Sequence, residues 1–522
     1  MSDLVALTRT TARDDAASPS QGGAPAGEEA GMSEQAAPPD AGPQRVGRRA
    51  VNERGACGGA AVDELAERRV PGAGTPAPRS RKVFVHTFGC QMNDADSGRM
   101  LELLGRHGFS ATPHPEDADL ILLNTCAVRE KAEQKLLSAL GRYRVHKARR
   151  GTLLAVGGCV AQQEKGRLLA RVPYVDFVFG PDNIAKLPEM IERARRERFA
   201  ETGWMPSEQY LFPRADPEAA RGRVTAFVTA MKGCDNVCSF CIVPHTRGRE
   251  ISRPFLEIVE ECAALAGVGV REVTLIGQNV NSYSGGCDFA GLLRRVAALP
   301  ALSRVRFTTS HPHDLSDALV EVFRDEVKVM PHFHLPVQSG SDPVLSRMRR
   351  DYTVAEYMGR FEKLREARPG IAITTDFIVG FPGETDEDFE RSLVLLERAR
   401  FDNSFSFVYS PRPHTGAARR LGTAPEWTEI PREVAVARLE RLQAMQRLIS
   451  SEVLSRQMGA TVEVLVEGGL DGEEGRRFGR TLENRMVHFD ADPSRAPAGA
   501  LLPVLVTRSH ANSLSGEIVG PA

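Results

Sequence analysis

Long apolar runs are missing from this chain of 522 residues. Nothing approaches the ~18–20 consecutive apolar residues that span a bilayer, and the N-terminus carries no apolar core of the secretory kind. A membrane protein and an exported one are therefore not expected, and a reducing, cytoplasmic setting is. An excess of one charge is also missing: 67 Lys and Arg stand against 68 Asp and Glu. Any nucleic-acid partner must then be met by a local basic surface, because the whole-chain charge of −1 supplies no field. Cysteine is sparse, nine residues in all. In a reducing compartment such cysteines bind metals or do redox chemistry more often than they form structural disulfides.

Large apolar residues are scarce over residues 1–80, which read "SPSQGGAPAGEEAGMSEQAAPPDAGPQ" and similar. That composition buries too little surface to offset chain entropy, so a disordered extension is expected. Asp3, Asp14, Asp15, Glu28 and Glu29 come too early for an acid-poor transit peptide. Cys57 lies in this stretch and is read as an uninvolved thiol.

The length allows about three or four domains. From Arg81 the sequence turns to short apolar runs alternating with amphipathic stretches: "KVFVHTFGC", "ADSGRMLELLGRHGF", "ADLILLNTC", "REKAEQKLLSALGRYRVHKA", "GTLLAVGGC". Strand–helix alternation of this kind predicts an α/β domain with a parallel sheet over 81–198. A second alternation follows, with strands expected at "VTAFVTA", "EVTLIGQ", "RVRFTTS", "HFHLPVQ", "AITTDFIVG" and "SFSFVYS". Six units make a (β/α)6 partial barrel, short of the eight that close, within a domain of 220–450. Residues 453–522 have another texture, short alternating strands such as "TVEVLVEG" and "RRFGRTLENRMVHFD", which predicts a small antiparallel β-barrel.

"GCDNVCSFC" holds Cys234, Cys238 and Cys241 just after the first strand of the six-unit array, on the side where α/β barrels keep their chemistry. His245 makes a zinc site of three Cys and one His the bland alternative, and a redox pair of Cys238 with Cys241 a weaker one. A cubane iron–sulfur cluster needs one ligand per iron, so three thiolates leave one iron open. In the first domain Cys90, Cys126 and Cys159 each end a predicted strand, in "TFGCQMN", "LLNTCAV" and "VGGCVAQ". Strand ends of a parallel sheet share one edge, so these thiols can meet although more than thirty residues separate them. Any one of them alone would be read as a small buried hydrophobe; Cys262 is read that way, and Cys287 as a loop thiol.

The spacing Cys-x3-Cys-x2-Cys in this setting resembles the radical S-adenosylmethionine (SAM) superfamily, in which SAM chelates the open iron. The resemblance implies that Phe240 packs against the SAM adenine, and that Ile378 and Gly380 in "DFIVGFPGE" cradle it. Gln278, Ser310 and Gln338, at strand ends of the same array, become candidates for the SAM or substrate site, with loop-capping hydrogen bonds as the alternative. The two triplets together, in this domain order, resemble the methylthiotransferases. "NTCAVREKAEQK", "MKGCDNVCSFCIVPHTRGREISRP", "LPVQSGSDPVLSRMRRDYT" and "TDFIVGFPGETDEDF" are similar to the bacterial tRNA-acting branch.

That resemblance implies a flavodoxin-like first domain holding an auxiliary [4Fe-4S] cluster on Cys90, Cys126 and Cys159. It implies a radical SAM [4Fe-4S] cluster on Cys234, Cys238 and Cys241, and a C-terminal RNA-binding TRAM domain. The reaction implied is sulfur insertion and methylation at C2 of N6-dimethylallyladenosine, at position 37 beside the tRNA anticodon, using two SAM. One SAM gives the 5′-deoxyadenosyl radical that removes the C2 hydrogen, and the other gives the methyl group. The partners implied are the tRNA anticodon stem-loop, a flavodoxin- or ferredoxin-type electron donor and a sulfur carrier, with the enzyme a monomer. Branches acting on threonylcarbamoyl-adenosine or on a ribosomal-protein aspartate are the near alternatives; a non-catalytic iron–sulfur RNA-binding or electron-transfer protein is the distant one.

Arg476, Arg477, Arg480, Arg485 and Arg508, interleaved with Phe478 and Phe489, suggest phosphate contact and base stacking on the barrel. Arg247 and Arg249 in "HTRGRE" are expected to extend that basic track toward the active site. The branch commonly reads "SPRPGTPAA" where this chain has "SPRPHTGAA", which puts His414 where a glycine would allow positive φ.

Overall fold

The computed structural model describes residues 81–520 apart from 128, 129, 211, 213, 471, 472 and 474. The expectations for residues 1–80 and for Cys57 lie outside the described residues.

The first domain is a sheet of six parallel strands, β1 (Arg81–Thr87), β2 (Phe109–Ala111), β3 (Leu120–Thr125), β4 (Leu153–Gly158), β5 (Phe177–Phe179) and β6 (Phe199–Glu201), in the order β2-β1-β3-β4-β5-β6. The first five follow the flavodoxin-like order, whose chain reversal between β1 and β3 opens a crevice at the strand carboxyl ends. β3, "LILLNT", is buried at every position, as a central parallel strand covered on both faces must be. Ile121, Leu123 and Val156 face one apolar layer and Leu120, Leu122 and Ala155 the other.

The second domain has the six expected parallel strands, split into two half-sheets. β7 (Thr225–Thr229), β10 (Glu272–Ile276) and β11 (Arg304–Phe307) form one; β12 (His332–His334), β13 (Ala372–Val379) and β14 (Asn403–Val408) form the other. A parallel bridge links Val305 of β11 to Val329, in the segment leading into β12. β12 is short because Pro331 and Pro336 flank it and bring no N–H to a ladder. Between β7 and β10 lies a hairpin that alternation could not reveal: β8 (Met231–Lys232) pairs antiparallel with β9 (Ile251–Ser252). A two-residue ladder has no period to detect.

The C-terminal domain is a closed barrel of β15 (Thr461–Gly469), β16 (Arg476–Arg480), β17 (Met486–Asp490), β18 (Leu501–Ser509) and β19 (Leu514–Ile518). All its pairs are antiparallel except β17 with β19. Phe478 and Phe489 are buried, Phe489 in the apolar core of the barrel, which corrects the expectation that they stand out for base stacking. Two of the barrel's arginines are paired within the protein. Arg480 pairs with Glu467 at 3.0 Å, and Arg485 reaches Asp402 of the central domain at 2.7 Å. Two buried arginines of β11 complete this docking: Arg304 donates to Arg480 O at 2.8 Å, and Arg306 to Thr481 O and Leu482 O, both at 2.9 Å. Arg508 is exposed, with no acidic partner among the described residues.

Among the described residues no helix is long and apolar enough to cross a membrane.

Candidate active site

Cys90, Cys126 and Cys159 follow β1, β3 and β4, three neighbouring strands, so their backbones leave the sheet along one edge. Cys90 is the N-cap of the helix Gln91–Arg106, and Cys159 opens the helix Cys159–Glu164. The turn into Cys159 needs Gly158: its φ is +90°, and a Cβ there would lie 2.4 Å from Asn124 Oδ1. Cys90 and Cys126 are joined by a side-chain hydrogen bond, which is the main reason the Cys90 thiol is pulled down to about 6, against the opposing effect of burial. Arg247 and the backbone N–H groups of Asn93 and Met92 add to it. Burial pushes the Cys159 thiol up, offset in part by Arg247.

The other triplet lies on the loop Gly233–Glu250, closed at its base by the β8–β9 ladder. Gln278 Oε1 accepts from Gly233 N at 2.5 Å, and Gly248 O accepts from Cys234 N at 3.3 Å, so the first cysteine is fixed from two sides. Cys241 N donates to Cys238 O at 3.1 Å, folding Cys238–Cys241 into a turn. Arg350 Nη1 donates to Cys238 Sγ at 3.4 Å, while His311 Nε2 stands 3.8 Å from the same sulfur. Burial pushes Cys234 up to about 11 and Cys241 up to about 12, the neighbouring thiols adding to the shift. Buried thiols of this kind give up protons when a cation arrives, so cluster loading and proton release go together.

The donor sets are thiolate triplets, the donor chemistry of an iron–sulfur cluster. All eight described cysteines are free, and the mutual electrostatic influence within each triplet places its members together. Yet among the described residues no three His, Cys, Asp or Glu side chains converge tightly enough to share one metal ion. A cubane takes each thiolate on a different iron, so a set of three thiolates matches its donor chemistry. His245 does not complete the loop triplet. Its ring faces His414, with centroids 6.0 Å apart.

Phe240 and Ile378 pack against one apolar cluster of Val344, Met348, Phe381, Ala417 and Trp427, a surface of the kind an adenine ring needs. Gly380 has φ +68°, its N–H donates to Glu384 Oε2 at 2.7 Å, and a Cβ would come within 2.6 Å of Ala435 Cβ. Gln338 is buried at φ +75°, bridging to Phe377, and Ser310 Oγ donates to His334 O. The side chains of Gln278 and Ser310 thus make internal hydrogen bonds that shape the loops. Cys262 is fully buried, as expected, and Cys287 partly so.

A cleft of about 290 Å³ lies beside the segments that follow Cys159 and Cys241, and none of the six cysteines lines it. Gln162, Gln163 and Lys165, just beyond Cys159, line one wall; Ile242, Pro244, His245 and Thr246, just beyond Cys241, line the other; Trp204 and His414 complete it. Sequence reading missed Arg350 and Trp204, and it assigned Arg247 wrongly. Arg247 is 4% exposed and bonded within the protein, so it extends no basic track, and Arg249 pairs with Asp235 at 2.8 Å.

Three family models match: Uncharacterized protein family UPF0004 over residues 82–180, Radical SAM superfamily over 228–396 and TRAM domain over 455–519. A protein of Anaeromyxobacter sp. (strain K), named tRNA-2-methylthio-N(6)-dimethylallyladenosine synthase, is 75% identical over 458 residues, 87% of this chain and 98% of that protein. The chain belongs to this synthase family. The family member of Myxococcus xanthus is 63% identical over 84% of this chain and 94% of its own length. That of Geobacter sulfurreducens is 49% identical over 84% and 98%.

Against the family's usual "SPRPGTPAA", His414 holds φ +69°, the strained conformation anticipated for it. Gly416 opens the helix Gly416–Arg420, capped by Thr415, a position that accepts proline equally well. His414→Gly is expected to stabilise the protein by about 1 kcal/mol by relieving the left-handed backbone. Arg419 donates to the His414 carbonyl, a contact the variant keeps. A thermal unfolding midpoint no higher than that of the unmodified protein would contradict the expectation.

Proposed function

We propose that this protein inserts sulfur and a methyl group at C2 of N6-dimethylallyladenosine at position 37 of tRNA. The observation that carries the reading is that the segments following Cys159 and Cys241, one from each thiol triplet, line the same cleft. In this reading 81–198 is the methylthiotransferase domain, 220–450 the radical SAM core and 453–522 the RNA-binding TRAM domain, a division supported by the family matches. Cys234, Cys238 and Cys241 hold one [4Fe-4S] cluster, and Cys90, Cys126 and Cys159 the other. Phe240, Gln278, Ser310, Gln338, Ile378 and Gly380 form the SAM region.

When bound, the clusters and SAM supply the radical, the sulfur and the methyl group. The chain supplies position and charge. Arg350 donates to Cys238 Sγ and offsets the negative charge gathered on its loop, while Arg247 does the same at Cys159. The apolar cluster around Phe240 and Ile378 orients an adenine and keeps water out. Trp204, 47% exposed on the rim of the cleft, offers a nucleobase an aromatic face. A flavodoxin- or ferredoxin-type protein as reductant, a separate sulfur carrier, a cytoplasmic location and a monomeric state belong to the same proposal.

Mass analysis of tRNA nucleosides tests it. In a strain lacking its own synthase, this gene is expected to restore 2-methylthio-N6-dimethylallyladenosine. Unchanged content would overturn the substrate assignment, and a methylthio group on threonylcarbamoyl-adenosine instead would move the chain to that branch.

A further inference from the structure

Arg247 lies six residues beyond Cys241, on the loop of one triplet, yet its guanidinium serves the other. Nε donates to Cys159 Sγ at 3.2 Å, Nη2 donates to Asn93 Oδ1 at 2.9 Å, and Nη1 pairs with Asp96 Oδ2 at 2.7 Å. Asn93 Oδ1 also faces Cys90 Sγ at 3.8 Å, and Asn93 Nδ2 is anchored on Phe88 O at 3.1 Å. One buried cation therefore reaches Cys159 directly and Cys90 through Asn93. Two fork directions carry hydrogen bonds and the third faces the Asp96 carboxylate at ion-pair distance, an arrangement a lysine ammonium on a flexible stem cannot reproduce.

We propose that Arg247 is a positioning residue for the cluster on Cys90, Cys126 and Cys159. It aims Cys159 and raises the reduction potential of that cluster, and it ties the geometry of one centre to the loop that holds the other. The proposal rests on reading the triplet as cluster ligands. Its physical basis is that reduction adds negative charge, and a guanidinium N–H donated to a ligating sulfur stabilises the reduced state more than the oxidised one. Arg247 is also not the only fastening between the domains. Lys232 pairs with Asp182 at 2.5 Å and lies 4.0 Å over the Tyr210 ring, so a variant at 247 keeps a second buried link.

The test uses the full chain with Cys234, Cys238 and Cys241 replaced by Ala, so that one cluster remains. After anaerobic reconstitution, iron is counted and the EPR signal of the reduced cluster is titrated with dithionite. Arg247→Gln is expected to keep about four irons, the complement of one cubane. Its reduction equilibrium is expected to shift at least tenfold toward the oxidised form, about 59 mV for a one-electron couple. Arg247→Lys, which keeps the charge but not the fork, is expected to recover part of that shift. Iron retained with a shift under twofold would overturn the proposal. Should Arg247→Gln hold no iron, Arg247→Lys is judged instead, by whether its own shift exceeds twofold. A background chain that binds no iron at all would instead sink the reading of the triplet as cluster ligands.

Discussion

Replacing Cys234, Cys238 and Cys241 together by Ala is expected to abolish SAM cleavage and all methylthiolated product while half of the iron stays bound. The reaction has no route around this loop. Its three sulfurs are the sole thiols there, and the neighbours of Cys238 are Arg350, which has no lone pair to offer, and His311, a single imidazole. Since the cofactors carry the difficult chemistry, their loss leaves no slow background pathway, and the expected fall is to the detection limit rather than by some factor. The iron should drop from about eight atoms to about four, because the other triplet is held by separate elements, the ends of β1, β3 and β4. Iron analysis and 5′-deoxyadenosine assay under strong reductant check both halves. Loss of all iron, or of none, would overturn the two-cluster reading. Unmodified protein that failed to cleave SAM would favour a non-catalytic iron–sulfur protein.

The complementary replacement, Cys90, Cys126 and Cys159 by Ala, is expected to leave 5′-deoxyadenosine formation intact and to remove the methylthio product completely. The loop Gly233–Glu250 keeps its own supports, the β8–β9 ladder and the Gln278 bond to Gly233, so the SAM-side geometry survives. Arg247 loses Cys159 but retains Asp96 and Asn93, which keeps its buried charge paired and the domains joined. Incubation with tRNA, SAM and reductant, followed by nucleoside mass analysis, separates the two activities. Methylthiolated nucleoside from this variant would show that sulfur does not pass through the triplet.

The central strands of the first domain were legible because each is a short apolar run bounded by glycine and polar residues, with the cysteines recurring at the same phase of three of them; the three-residue β2 and β6, FSA and FAE, carry no such pattern. The strands of the second domain were legible for the same reason, although β12 fell to three residues between prolines. Phe478 and Phe489 were misread because in a five-stranded barrel alternate residues point inward, and the basic residues beside them suggested an exposed face. Arg480 and Arg485 have partners, Glu467 and Asp402, of which the charge seen in sequence carries no sign.

By itself the sequence determined two incomplete thiol triplets, the α/β architecture that carries them and the barrel that follows, because ligand spacing and apolar periodicity are local properties. Only the tertiary structure decided that the loop of one triplet gives its arginine to the other. That contact joins Arg247 to Cys159 across 88 residues and to Asn93 across 154. It exists because two domains dock with Asp96, Asn93 and Cys159 buried against one cation, and no pattern within either segment encodes that meeting.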